Sequence, residues 1–479
     1  MDNLTHYVLT TSDGWMILGI FSVIWIFLGW YWGRKNKTLE DYMLAGRNVG
    51  LALGVATAMA TWVTTSTTMA APQFALQLGI WGMLGYSLGS VGLILFAPLA
   101  KRIKHLMPSG FTSGDFIRLR FGNTTWRVFL VVSLIYAVGW LVTLGMAGGL
   151  LVEALTGIPY LYGMTVILVI CVTYTLLGGL RAVIGTDFIQ TILIIVGITT
   201  LAILAITEVG FEKMHSSVLE QNPELLNLLM PASIMFLFNN LLFGVGEIFH
   251  SNVWWSRAYA FRKNVGARAY LLSGLFWMPI PVVAGFIALA APALGVNIPS
   301  ADKVGPIVAA NLLGYTGAVL VFIVVFSALA SSLDSLLAAT SDLVLQDIYR
   351  GHINPDASKQ LLHKKARWII LLLGALTWFI SALQVDTLGS VLQFLGAFVA
   401  STIWPIIAGL YWRRLDGAMA TTAMLLGIAA GLTGFFVIGF YVAALVSAAV
   451  SMLVTIIGVY LAREQFDWTQ FSQQEGVSR

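Results

Sequence analysis

The sequence predicts an all-α, polytopic membrane protein of about 13 transmembrane helices, and three observations carry that prediction. Of 479 residues, 58% are hydrophobic and only 10% charged, against about 25% charged in an average soluble domain. Thirteen apolar runs come near the roughly 20 residues that cross about 30 Å of hydrocarbon. Lysine and arginine alternate between the connecting segments in a way that only membrane topology explains.

The expected spans cover 14–33, 51–75, 79–100, 126–153, 160–177, 183–207, 232–255, 270–292, 312–345, 368–384, 388–412, 417–438 and 440–462. The first run is too long for a signal-peptide core and no small-residue cleavage site follows it, so it reads as a retained span. The ninth is long enough to begin as a separate short helix. Only GFYVA parts the last two.

With the N-terminus outside, the segments left inside hold 24 of the 26 basic residues. Only Lys213 and Lys303 fall outside, and the largest outer loop, 208–231, carries Glu208, Glu212, Glu220 and Glu224. One span more or fewer would scramble this division. The reading is a cell (inner) membrane protein with its C-terminus in the cytoplasm.

Hydropathy also allows an internal repeat. If spans two to six (51–207) form one unit and seven to eleven (232–412) another, five helices per unit force the second to enter from the opposite side. The N-terminal helix 14–33 and two C-terminal helices, 417–462, flank this 5+5 inverted repeat in one transport domain, 1–479. The leading helices, with ATAMATWVTTSTTMAAPQ in span two and FNNLLFGVGEIFHSN in span seven, are both expected to break at mid-depth. Such breaks persist only where freed backbone groups face protein, water, an ion or a ligand.

Composition narrows the function. A net charge of +4 is spread over short loops instead of one patch, which points to the bilayer surface and away from nucleic acid. The single Cys171 makes no internal disulfide, and no Cys/His cluster has metal-site spacing. GYSLG (85–89) fits a hydrolase pattern but lies inside a membrane helix, where the strand-to-helix elbow that pattern needs cannot form. EKMH (212–215) and EIFH (247–250) share the Glu-x-x-His spacing but lie at different depths.

SALASSLDSLLAATSD, 327–342, follows the apolar VFIVVF, yet half of its residues are Ser, Thr or Asp. On a helical wheel Ser327, Ser331, Asp334, Ser335, Ser341 and Asp342 fall within about 120°, with Ser332 at the edge and Leu329, Leu333, Leu336 and Leu337 opposite. Small hydroxyls alone serve close helix packing. An Asp at mid-bilayer costs about 2.5 to 3.5 kcal/mol, so two carboxylates on that face suggest function.

SALASSLDSLLAATSDLVLQDIY resembles the signature helix of the sodium:solute symporter family. LEDYMLAGRNVG, FTSGDFIRLRFG and YTLLGGLRAVIGTDFIQ resemble three other family segments, in the family's order. The resemblance implies a LeuT-type fold and a sodium-coupled symporter of a small polar solute. It further implies, for Na⁺, the carbonyls of Ala60, Val63 and Ala328 with the hydroxyls of Ser331 and Ser332. Asp187 matches an aspartate on the ion's exit path. An ion pair with Arg181 is its alternative reading.

For the solute, Ser66, Thr67, Tyr86, Asn240, Phe243 and Glu247 are the expected pocket, with Glu247 at the expected break of span seven. The resemblance puts aromatics there in sugar-transporting relatives, so Glu247 turns the reading from sugars toward amines, urea-like or amino-acid-like solutes. Glu247 could instead carry a coupling proton, or be held by Asn239, Asn240 or His250 for packing. Trp62, Phe243 and Trp254 read as packing aromatics.

One charge crossing ~100 mV yields about 2.3 kcal/mol, and a tenfold ion gradient about 1.4 more, enough for solute ratios on the order of hundreds. A membrane enzyme would need a nucleophile and base at one depth, which the sequence lacks. A channel or sensor on the same fold stays open. No obligate protein partner is implied.

Overall fold

The computed structural model describes residues 8–473, apart from the side chains of Ser66, Leu313, Ser472 and Gln473. Helix starts follow from local chemistry. Thr10, Thr38 and Thr112 each accept from the amide three residues on, while Asp13, Asp41 and Asp115 accept in return from the threonine's own amide. Two of these caps open the short interfacial helices Leu39–Leu44 and Ser113–Phe121.

Ten described helices are long and apolar enough to cross a membrane unaided. The other expected spans differ for local reasons. Span two is divided into Leu51–Trp62, a π-helical turn at Ser66–Ala70, and Ala71–Leu78. Spans five and six form one element, Tyr160–Glu208, bent at Gly179 (φ 55°, ψ −159°). A side chain there would meet the carbonyl and ring of Tyr42 as well as the positive φ. Span ten, Lys359–Ser381, has Lys359, Lys364, Lys365 and Arg367 in its first half, which shortens its apolar part.

Span nine belongs to Val304–Leu343 and does begin as a separate short helix, ending at Gly314 (φ 59°). Span seven departs from expectation. Pro231–His250 runs unbroken through Gly244, Gly246 and Glu247, and the interruption comes at Ser251 (φ −71°, ψ 131°) before Asn252–Ala260. The two glycines admit neighbouring backbone: a side chain on Gly244 would strike Gly89, and one on Gly246 would lie 2.8 Å from Val399 and Ala400.

Val304–Leu343 lies at the centre, packed on Tyr160–Glu208, Asn123–Thr156 and Leu51–Trp62. Both its polar arc and the opposite leucines are buried, so its hydroxyls and carboxylates face other helices and not lipid. A parallel bridge, with Val49 N–H donating to Ala260 O (3.2 Å) and Arg262 N–H to Val49 O (3.0 Å), ties the segment before the first broken helix to the one after the second.

Candidate functional site

The helical backbone of Leu51–Trp62 ends at Val63 (φ −80°, ψ 84°). Thr64 and Thr67 mend the opening: each side chain accepts from the other's amide (3.2 and 3.3 Å), and the Thr67 hydroxyl donates to Trp62 O (3.2 Å). Thr67, expected in the solute pocket, is therefore committed to capping the break. The side chain of Ser66, also expected there, lies outside the described residues.

Opposite this break stand the two serines of span nine. The Ser331 hydroxyl lies 2.9 Å from Ala60 O and 3.0 Å from Ala328 O. The Ser332 hydroxyl lies 3.0 Å from both Thr61 O and Ala328 O. Five of the oxygens in this cluster are uncharged, belong to two helices and are buried. Such a set suits a hard cation, and the absence of a carboxylate from these five keeps binding weak enough for release.

One turn away on the same helix, the Thr57 hydroxyl donates to Asp187 Oδ2 (2.5 Å) and accepts from Arg257 Nε (3.1 Å). Arg257 Nη2 also donates to the hydroxyls of Thr61 and Ser335 (2.7 Å each) and stands 3.5 Å from Asp187. Both charged side chains are wholly buried. The expected alternative partner, Arg181, pairs instead with Asp41 (2.8 Å). Six residues at about 100° each put Arg181 and Asp187 on faces some 120° apart. Arg257 falls just past the expected end of span seven, among the basic residues assigned to the inside, but it lies buried within Asn252–Ala260. A lone arginine within WWSRAYA, flanked by four apolar neighbours, was the available signal. Asp334 is buried in the same region, near enough to both Asp187 and Arg257 to feel their charges.

Glu247 is buried, and Trp254 Nε1–H donates to both of its oxygens (3.0 and 2.8 Å). The Tyr136 hydroxyl faces the same carboxylate. The expected packing partners are engaged elsewhere. Asn239 donates to Gln393 Oε1 (2.8 Å), Asn240 donates to Gly85 O (3.0 Å) and accepts from Gln393 (3.1 Å), and His250 packs on the Phe129 ring (4.8 Å). Asn240 thus ties helices together, and Phe243 packs against Gly396. Neither reaches Glu247.

Tyr86 does border the Glu247 region, stacking on Phe74 (5.9 Å) and Trp277 (6.1 Å). Trp62 touches Trp140 (5.9 Å), Trp254 (5.7 Å) and Trp277 (5.7 Å). Tyr136, Trp140 and Trp277 come from spans four and eight. Sequence reasoning missed them because single aromatics on long apolar helices carry no local signal.

The sodium:solute symporter family model matches residues 42–427. The urea-proton symporter DUR3 of Oryza sativa subsp. japonica is 28% identical over 476 residues, 89% of this chain and 66% of that protein, so the chain spans about two thirds of the rice protein's length. The osmoregulated proline transporter OpuE of Bacillus subtilis (strain 168) is 27% identical over 426 residues, 86% of either chain. Among solved structures, a substrate-bound, outward-open Na⁺-coupled sialic acid symporter superposes with a TM-score of 0.78 at 17% identity, covering 95% of this chain and 98% of that one. That likeness is one of fold, and the architecture is of the LeuT type.

Proposed function

The chain belongs to the sodium:solute symporter family, and from that premise we propose that it couples the inward passage of Na⁺ to the import of a small polar, nitrogen-containing solute by alternating access. The observation that carries the reading is the convergence of the Ser331 and Ser332 hydroxyls with the Ala60, Thr61 and Ala328 carbonyls at the unwound turn. An ion in that cluster ties the first broken helix to span nine. Its departure frees them to move apart, which is what a carrier needs of its coupling ion.

Ala60, Val63, Ala328, Ser331 and Ser332 are the proposed ligands. Asp187, fixed by Thr57 and Arg257, stands on the proposed release path toward the cytoplasm, with the N-terminus outside. Glu247 is the proposed solute contact, bordered by Tyr86. Relatives named for urea and for proline transport both support a nitrogenous solute.

Proton coupling is the second reading. It rests on the buried Glu247, which lacks a basic partner among the described residues, and on the rice relative's name as a urea-proton symporter. Purified protein in proteoliposomes decides between them: a sodium gradient at equal pH drives solute accumulation under the first reading, and a pH gradient without sodium drives it under the second. A channel on this fold would show no counterflow.

A further inference from the structure

Resting on the carrier reading above, we infer that the solute is a small, planar, uncharged amide of the urea class, bound with its N–H groups on the Glu247 carboxylate and its carbonyl oxygen among the indole N–H groups of a four-tryptophan box. Trp62 is the hub of that box, with the Trp140, Trp254 and Trp277 ring centroids 5.7 to 5.9 Å away. Tyr136 adds its ring beside Trp140 at 5.6 Å.

Donor and acceptor chemistry selects the class. Trp254 spends its N–H on Glu247. The indole N–H groups of Trp62, Trp140 and Trp277 are buried and have no acceptor among the described residues. Buried donors are normally satisfied, and leaving them unmet is costly. A carbonyl oxygen with two lone pairs meets two of the three. Aromatic faces around a carboxylate would also attract an ammonium ion, but a cation has no acceptor and leaves the three indoles unmet.

Charge excludes the other branch of relatives. An ionised carboxylate only accepts hydrogen bonds, and Glu247 has donors but no basic side chain beside it. The nearby guanidinium of Arg257 is spent on Asp187, Thr57, Thr61 and Ser335. A solute carrying its own carboxylate, such as proline, would bring a second negative charge into a desolvated box with nothing to balance it. Urea offers N–H donors to Glu247, a carbonyl to the indoles and a flat π-face to the rings.

The same geometry explains how ion and solute sense each other. Trp62 directly follows Thr61, whose carbonyl lies 3.0 Å from the Ser332 hydroxyl. An ion that orders Thr61 therefore orders the central ring of the box.

The test is sodium-dependent counterflow of radiolabelled urea in proteoliposomes of the full chain, with acetamide, guanidinium, methylammonium and L-proline as competitors. Acetamide should compete at concentrations comparable to urea, and the other three should fail at roughly tenfold higher concentration. E247Q should weaken urea exchange about tenfold or more. W277F keeps a ring and removes one donor, so it should raise the urea half-saturation roughly threefold or more while sodium binding measured without solute stays unchanged. Preferred exchange of proline or of either cation, or a folded W277F with unaltered urea affinity, overturns the amide assignment and leaves the carrier standing. Absence of sodium-dependent exchange for all five solutes overturns the sodium-coupled reading on which the inference rests.

Discussion

The Ser331 hydroxyl lies 2.9 Å from the carbonyl oxygen of Ala60, 271 residues earlier in the chain. That contact joins the polar face of span nine to the point where span two unwinds. It also explains how a membrane helix tolerates so many hydroxyls: Ser331, Ser332 and Ser335 are spent on Ala60, Thr61 and Arg257, groups that the broken helix and the buried ion pair leave in need of partners.

Replacing both serines (S331A/S332A) removes two of the five proposed sodium ligands. Each hydroxyl–carbonyl bond is worth about 0.5 to 1.5 kcal/mol to stability, so the protein should still fold. The sodium half-saturation of uptake should rise by about an order of magnitude or more, or sodium activation should vanish. Unchanged sodium activation would remove both serines from the ion site.

Most of the spans and the serine face were legible in the sequence because hydropathy and helical periodicity are properties of contiguous residues. What joins distant helices was not. Arg257 looked like a loop charge because its partners, Asp187, Thr57, Thr61 and Ser335, lie 70 to 200 positions before it or 78 after. Gly244 and Gly246 looked like helix breakers because a glycine that loosens a helix and one that admits a neighbouring backbone read alike. The break at Ser251 shows that here they are the second kind. Asn240 was expected to face solute for the same reason: its partner Gln393 is 153 residues away.

R257L leaves the Asp187 carboxylate buried without its cation. Breaking a buried pair from one side costs about 3 to 5 kcal/mol, whereas replacing both members with apolar side chains is often near neutral. Thermal melting in detergent should therefore show a large drop for R257L and recovery of much of it in D187L/R257L. Equal melting of wild type and R257L would show that the pair contributes nothing to holding these helices together.

Gly114, within the FTSGDF segment, is where the short helix Ser113–Phe121 meets Val344–Ile353, the segment that continues span nine. A side chain there would run into the Asp347 carboxylate. That carboxylate cannot swing aside, because the Thr112 hydroxyl and the Trp126 indole each donate to it at 2.7 Å. G114A should destabilise by about 1 to 3 kcal/mol, the usual cost of overpacking. In a D347A background the same alanine should cost much less, since the obstacle is gone. Additive melting shifts across this double-mutant cycle would count against the contact.

The direction of transport depends on which face is which, and one labelling experiment reads it. Cys171 is buried, so impermeant maleimides do not reach the native thiol, and C171A supplies a silent background. Lys213 and Lys364 are both exposed and lie on opposite sides if 24 of 26 basic residues face the cytoplasm. In intact cells K213C should label at once, while K364C should label only after the membrane is permeabilised. Spans seven and eight intervene between Lys213 and the short helix at Val304, and span nine, which carries Ser331, leads on to the basic stretch at Lys359–Arg367, three crossings in all, so the two sites also test the span count between them. Labelling of both from one side would require an even number of crossings from 213 to 364. That would reverse one half of the repeat and with it the inward path assigned to sodium.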